Sequence, residues 1–571
     1  MTQDPTAAGP FSAPSRRDLM AGGAAVVGAM AAGQALAQPA APTKARWRRW
    51  NVASPEGKRA LASYARAIDI MLKLPPEHPY NWYNHALTHT IDCPHGNWWF
   101  VVWHRGYVGW FEQVVRKLSG DNSFAFPYWD WTASPVVPAE MFQGVLNPST
   151  YPGYIQSLDA FNRTFGPVLE KFWNGLSSAQ TQQLLIRGLR FPADLIFDIG
   201  PKGGPMFFAP PNSRGSTPQR PGFDDITNRA VSSWMLDNAL APRDFIGFAS
   251  PKSQFHSSIT GFGVMEGQPH NKVHNCVGGI WTDPNGKTTY GDGFMQSNLS
   301  PVDPLFFLHH ANIDRIWDLW TRKQQGYGYP TLPDDNPNYL NPRGDLGQWR
   351  AEPFLFFRNA DGQPLPPAQQ VAGAYETIGA FDYDYQPGSG ENVVPPPRPA
   401  GRLKAAVAPK PQQFVAKLKV PTQASIASGD VAVPKALLTE AVKVDGPKLL
   451  ATLTVELPPF EHGHDLAVGG NTPEGETVGV NSPGFVTTLS MFGQHLVTRP
   501  VTFTVPISPP LAKLAMAKGL GAAASDAGLN IRLVRLKPPV LSNTGPSHDH
   551  GPAPGATVAA PQLLNVEVKA Y

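Results

Sequence analysis

The chain has 571 residues, with 47 Lys and Arg against 44 Asp and Glu, and its net charge of +3 is too small to point to a nucleic-acid partner. Only two cysteines occur, so no disulfide framework supports the fold. The 15 histidines are clustered, four in residues 84–112 and four in residues 266–314.

In chain order, Ser15-Arg16-Arg17-Asp18-Leu19-Met20, an apolar run of small residues and then Ala35-Leu36-Ala37 read as a twin-arginine export signal. The apolar run is too short and too rich in Ala and Gly to span a membrane. Removal after Ala37 leaves about 534 residues, more than one core normally accommodates. The expectation is an exported protein, periplasmic or secreted, with no membrane contact after processing, at least two domains, and its oligomeric state left open.

The first histidine stretch holds His85 and His89, four apart, and then Cys93-Pro94-His95-Gly96-Asn97-Trp98-Trp99-Phe100-Val101-Val102-Trp103-His104-Arg105. His104 opens an amphipathic run through Val108, Phe111, Val115 and Leu118, which predicts a helix. His95, nine residues earlier, is half a turn out of phase and must come from a loop. In the second stretch, His270 and His274 share one helix face. His310 arrives on another helix, started by Asp303-Pro304 and continued by Ile313, Ile316, Trp317 and Trp320. Imidazole sets with no carboxylate at ligand spacing suit copper, zinc, iron or nickel, and three-coordinate sites are open to a reactant. A single histidine pair four apart is often an accident, but two groups in long, ordered strings are not.

These strings, with Glu266-Gly267-Gln268-Pro269-His270-Asn271 and Asp303-Pro304-Leu305-Phe306-Phe307-Leu308-His309-His310-Ala311-Asn312-Ile313-Asp314, resemble the type-3 copper proteins: tyrosinases, catechol oxidases and hemocyanins. The resemblance implies two copper ions and O2 as a partner, with His89, His95 and His104 on one copper and His270, His274 and His310 on the other. His85 stays open as an alternative to His89, and His309 is expected to turn away as a hydrogen-bonded structural residue. Asp314 is expected to serve as an acceptor near His310 or to pair with Arg315. Glu266 and Asn271 resemble the acid and amide that hold a water for phenol deprotonation, although Glu266 also fits a helix-start carboxylate. Cys93 matches a cysteine that forms a thioether to the His95 ring, with a free thiol or a disulfide to Cys276 as the alternatives. Ser297 falls at the position of a small gate residue.

Residues 38–385 are expected to form a mainly α domain, a four-helix bundle, and its last residues, Tyr383-Asp384-Tyr385, resemble the aromatic pair that closes the domain in this family. Residues 386–412 have the Pro-rich composition of a linker. Residues 413–571 carry short β-rich runs and predict an all-β sandwich; the resemblance implies that it covers the site and keeps the protein latent, with a structural or oligomerising role as the alternative. His462, His464, His548 and His550 lie in turn-like surroundings and suit either exposed loop residues or copper transfer. The implied function is oxidation of phenols and o-diphenols to o-quinones. A catechol or o-aminophenol oxidase without hydroxylase activity, and a hemocyanin-like O2 carrier, are the alternatives.

Overall fold

The computed structural model describes residues 45–196, 206–289, 291–335, 337, 342–396, 407–419, 427–457, 466–471, 478–492, 500–507, 509–518, 526–535 and 561–571. The segment read as an export signal, residues 397–406 of the Pro-rich stretch and the histidines at 462, 464, 548 and 550 lie outside the described residues. Among the described residues, no helix is long and apolar enough to cross a membrane.

The amino-terminal part is helical, and its helices begin and end where local chemistry dictates. Helix α1 (Pro55–Lys73) starts with proline in its first turn and the Ser54 hydroxyl accepting from Gly57 N at 3.0 Å. Helix α2 (Trp82–Asp92) is capped by Asn81, whose side chain accepts from Tyr83 N. Helix α3 (Phe100–Ser119) stops at Gly120, left-handed at φ 72°. Two helices follow in residues 154–256, a long insert to which the sequence assigns no chemistry of its own: α4 (Leu158–Asn174) and α5 (Ser178–Arg187). Helix α6 (Asn271–Val277) is short and preceded by a wide helical turn, Glu266–His270. Helix α7 (Leu305–Tyr327) is buried on nearly every side over its first four turns, so it runs through the centre of the core and not along its surface.

A buried charge network closes this part. Strand β1 (Trp47–Arg49) pairs in parallel with a later strand, Tyr383–Tyr385. Their side chains converge on Asp314 of α7, which accepts from Arg105 Nε at 2.6 Å, Arg49 Nη1 at 3.0 Å, Tyr385 OH at 2.6 Å and Tyr383 OH. Arg315 does not pair with Asp314; it donates to Asn312 Oδ1 and Ser389 O. Asp314 therefore serves the closure of the domain, not His310. Removing one member of such a buried set costs about 3–5 kcal/mol.

The carboxy-terminal part is a pair of five-stranded sheets. In one, Phe485–Thr488, Leu466–Gly470, Asp526–Arg535, Ala427–Pro434 and Lys417–Lys419 lie side by side. In the other, the order is Gly261–Phe262, Val501–Pro506, Leu449–Glu456, Gln562–Ala570 and Gln412–Val415. Alternation puts Leu449, Ala451, Leu453 and Val455 into a core of their own. Two short helices, Lys435–Ala441 and Pro509–Lys518, interrupt the strands, so this part is β-rich but not free of helix. Its outermost strand, Gly261–Phe262, belongs to the helical part of the chain, and Phe262 stacks on Phe503 at 5.6 Å. Both parts thus fold within one compact unit, Arg46–Tyr571.

Candidate metal centre

His89 on α2, His104 on α3 and His95 on the loop between them bring one ring nitrogen each to within 4.8 Å of the others. His89 Nδ1 lies 2.7 Å from Asn298 O and His104 Nδ1 lies 2.8 Å from Phe100 O. A carbonyl only accepts, so the proton sits on Nδ1 and the lone pair on Nε2. The Nε2 atoms of His89, His95 and His104 are buried and have no partner among the described residues. Two such lone pairs beside the unpartnered His95 Nε2, in a dry pocket, fit a soft-to-borderline cation.

The His95 loop is held by short-range constraints. Gly96 has φ +62°, and a Cβ there would meet Ile259 Cγ2 at 2.7 Å, so only glycine fits. Its carbonyl accepts from Thr260 N and Gly261 N. Arg187 of α5 donates to Cys93 O at 2.6 Å and to Cys93 Sγ at 3.2 Å, which gives the insert a role in bracing this loop. Cys93 Sγ lies 3.4 Å from His95 Nδ1, and burial pushes its thiol up to about 12. Cys93 and Cys276 are both free and buried, so the disulfide alternative is not made. His85 is outside the group, stacked on Phe111 at 4.2 Å.

The second group comprises His270, His274, His309 and His310. His270 Nδ1 lies 2.8 Å from Asn271 Oδ1 and His274 Nδ1 lies 2.7 Å from Met295 O, which again leaves Nε2 for a ligand. His310 Nε2 is 3.1 Å from His274 Nε2. Two neutral ring nitrogens at that spacing suit a shared cation. His309 is not turned out of the cluster: its ring lies 5.3 Å from those of both His270 and His310. Its Nδ1 accepts from Trp131 Nε1 at 3.2 Å, so its proton is on Nε2 and it presents an N–H, not a lone pair, to the group.

Burial holds His104 and His274 down to about 3 and keeps His89, His95, His270 and His310 well below the usual histidine value. All six are neutral at pH 7, the form that binds metal. The groups face each other, with His104 stacked on His310 at 4.2 Å and 6°, and His95 on His270 at 5.6 Å.

A phenylalanine of the β-rich part enters this space. The Phe492 ring lies 4.1 Å from His274, 4.8 Å from His95, 5.6 Å from His270 and 6.3 Å from His89. The segment that delivers it is bonded along the second histidine helix. Asn271 Nδ2 donates to Ser490 O at 2.8 Å, Asn275 Nδ2 to Ser490 Oγ at 2.9 Å, Thr487 Oγ1 to Gln268 Oε1 at 2.8 Å, and Lys272 Nζ to Thr488 Oγ1. No local sequence signal marks Phe492; only the contact does.

Glu266 is fully buried, accepting from Gly96 N and Ser250 Oγ, each at 2.6 Å, and burial raises its carboxyl to about 8. No hydrogen bond joins it to Asn271 among the described residues. Ser297 is buried, and its hydroxyl lies among backbone groups of Met206, Phe294 and Leu299.

Residues 75–323, which hold all of these histidines, match the family pattern described as the common central domain of tyrosinase. The chain thus contains a tyrosinase common central domain. Among curated relatives, the chloroplastic polyphenol oxidase of Spinacia oleracea is 25% identical over 300 residues, 49% of this chain and 40% of that protein. Tyrosinase HcTyr1 of a Hahella species is 24% identical over 367 residues, 57% of this chain and 60% of that protein. The chain thus spans from about two fifths to three fifths of the length of these curated relatives. Among solved structures, a latent aurone synthase (polyphenol oxidase) covers 92% of this chain and 90% of its own, at 17% identity and a TM-score of 0.49.

Proposed function

We propose that the chain is a dicopper phenol oxidase that uses O2 to convert o-diphenols to o-quinones, held latent by its carboxy-terminal part. The carrying observation is the pair of facing histidine groups, six neutral imidazoles with metal-ready nitrogens, and Phe492 set against four of them. His89, His95 and His104 would hold one copper; His270, His274 and His310 the other. Bound copper would supply the O2 redox chemistry and polarise the phenol oxygen. The protein holds His89, His104, His270 and His274 by their Nδ1 atoms, excludes water with aromatic walls such as Phe100 and Phe306, and keeps Phe492 where a phenol ring would stack. The 3.4 Å approach of Cys93 Sγ to His95 supports a thioether at this loop. The twin-arginine segment supports export of the folded protein to the periplasm or beyond.

Hydroxylation of monophenols is the finer part of the reading, with Glu266 and Asn271 as its proton-handling pair. One observation favours the diphenol-only alternative: both Glu266 oxygens already accept protein hydrogen bonds, and Asn271 is spent on His270 and Ser490. Oxygen uptake by copper-loaded protein with tyramine and with 4-methylcatechol separates the readings, before and after limited proteolysis within residues 386–412. Activity on both, released by cleavage, supports a latent tyrosinase. Activity on the catechol alone demotes Glu266 and Asn271, and copper-loaded protein that turns over neither substrate rejects the oxidase.

A further inference from the structure

One turn of the chain, Phe294 to Leu299, serves both histidine groups. Its Met295 carbonyl accepts from His274 Nδ1 and its Asn298 carbonyl from His89 Nδ1, each at 2.7 Å. These are the only backbone acceptors on this turn that reach ring nitrogens among the described residues, and they reach one ligand of each proposed copper. A carbonyl that fixes the Nδ1 proton also fixes the ring plane and the Nε2 lone pair, so where these two oxygens stand decides how both metals are gripped.

The turn lacks a helix or sheet ladder of its own beyond the short 3-10 segment Phe294–Gln296. Past that point its shape is set by the backbone bonds Ser297 N to Phe294 O at 2.9 Å and Ser300 N to Ser297 O at 3.0 Å, together with the Ser297 hydroxyl. The Ser297 hydroxyl accepts from Leu299 N at 3.2 Å, and it has one proton to give, to Phe294 O at 3.2 Å or Met206 O at 3.3 Å. It thus links Leu299 N either to Phe294 O or to the neighbouring segment at Met206. The side chain is 7% exposed, while Phe294, Met295 and Leu299 around it are buried to within 1%. The hydroxyl is thus held by backbone groups of the turn and its neighbour.

Resting on the dicopper reading above, we propose that Ser297 is a positioning residue for both copper sites, and that its hydroxyl, not its small size, is what the site requires. Displacing carbonyls that fix ligand rings weakens metal binding by up to about 10–100-fold. Because one turn holds His89 and His274 together, the two coppers loosen together.

The test is copper retention by the full-length copper-loaded chain in a chelator titration, for wild type, Ser297→Ala and Ser297→Thr. Thermal melting of each after complete copper removal reports folding apart from metal. The expected result is a wild type that holds two coppers, an alanine variant that loses both in one step at about 10–100-fold lower chelator, and a threonine variant close to wild type. Retention unchanged in the alanine variant, loss of one copper with the other unaffected, or a threonine variant as weak as alanine each overturns the proposal. If Ser297→Ala does not fold, Ser297→Cys, near in size and a poorer hydrogen-bonding group, replaces it with the same expectations. A wild type that retains no copper rejects the dicopper reading itself, and this inference with it.

Discussion

Phe492 and His274 lie ring against ring at 4.1 Å, although one belongs to the β-rich part of the chain and the other to the helix that grips the second proposed copper. A phenol that binds between the histidine groups must take the space this ring occupies. Phe492→Ala in the uncleaved chain should therefore raise 4-methylcatechol oxidation at least about tenfold, equivalent to about 1.4 kcal/mol of barrier. Oxygen uptake by copper-matched samples reads it, and a variant no faster than wild type removes Phe492 from latency.

Asn271 couples that cover to a ligand. Its Oδ1 fixes His270 and its Nδ2 donates to Ser490 O, two residues before Phe492. Asn271→Asp keeps the acceptor for His270 and loses the donor to Ser490; Asn271→Leu loses both. The aspartate variant should hold two coppers yet show raised activity without proteolysis. The leucine variant should hold the second copper about 10–100-fold more weakly, with an unpaired Ser490 carbonyl costing about 1–3 kcal/mol of stability. Chelator titration with melting curves checks both, and equal copper retention in the two variants would sink the coupling.

The histidine groups were legible because helix periodicity is a local property: His270 and His274 share a face by spacing alone, and His95 is forced onto a loop by its phase. Asp314 was misread for the same reason. One turn beyond His310 suggested a local role, whereas its partners Arg49, Arg105 and Tyr385 come from distant parts of the chain through the β1 pairing. His309 carried no clue to its tautomer, which Trp131 determines from another segment. Phe492 and the strand Gly261–Phe262 were invisible because their meaning lies in what the other part of the fold brings against them.

The tautomer argument separates the adjacent histidines. His310→Gln should lower copper from two to about one per chain, whereas His309→Gln should leave two, because the His309 Nδ1 lone pair is already used by Trp131 and its Nε2 carries the proton. Metal analysis after gel filtration is sufficient. A His309 variant that drops to one copper, with His310→Gln unchanged, exchanges their roles.

A last relationship lies behind the His95 loop. His256 is buried between two carboxylates, with Nδ1 2.6 Å from Glu352 Oε1 and Nε2 3.1 Å from Asp92 Oδ1, and its carbonyl accepts from Asn97. Burial alone would lower its affinity for a proton, but the hydrogen bonds and charges of Asp92 and Glu352 outweigh burial and raise it from 6.5 to about 9. A raised value means that the folded chain holds this proton where the unfolded chain has released it. The stabilisation is therefore fully present below about pH 6.5 and is lost as pH rises through about 9. The window is worth about 3 kcal/mol at 1.36 kcal/mol per pH unit. Other groups titrate in the same range, so the informative quantity is the difference between wild type and His256→Gln, which keeps hydrogen bonding without the charge. Urea unfolding at pH 6 and pH 10 should show wild type losing about 3 kcal/mol more than the variant over that interval. Identical slopes would mean that His256 is neutral in the fold.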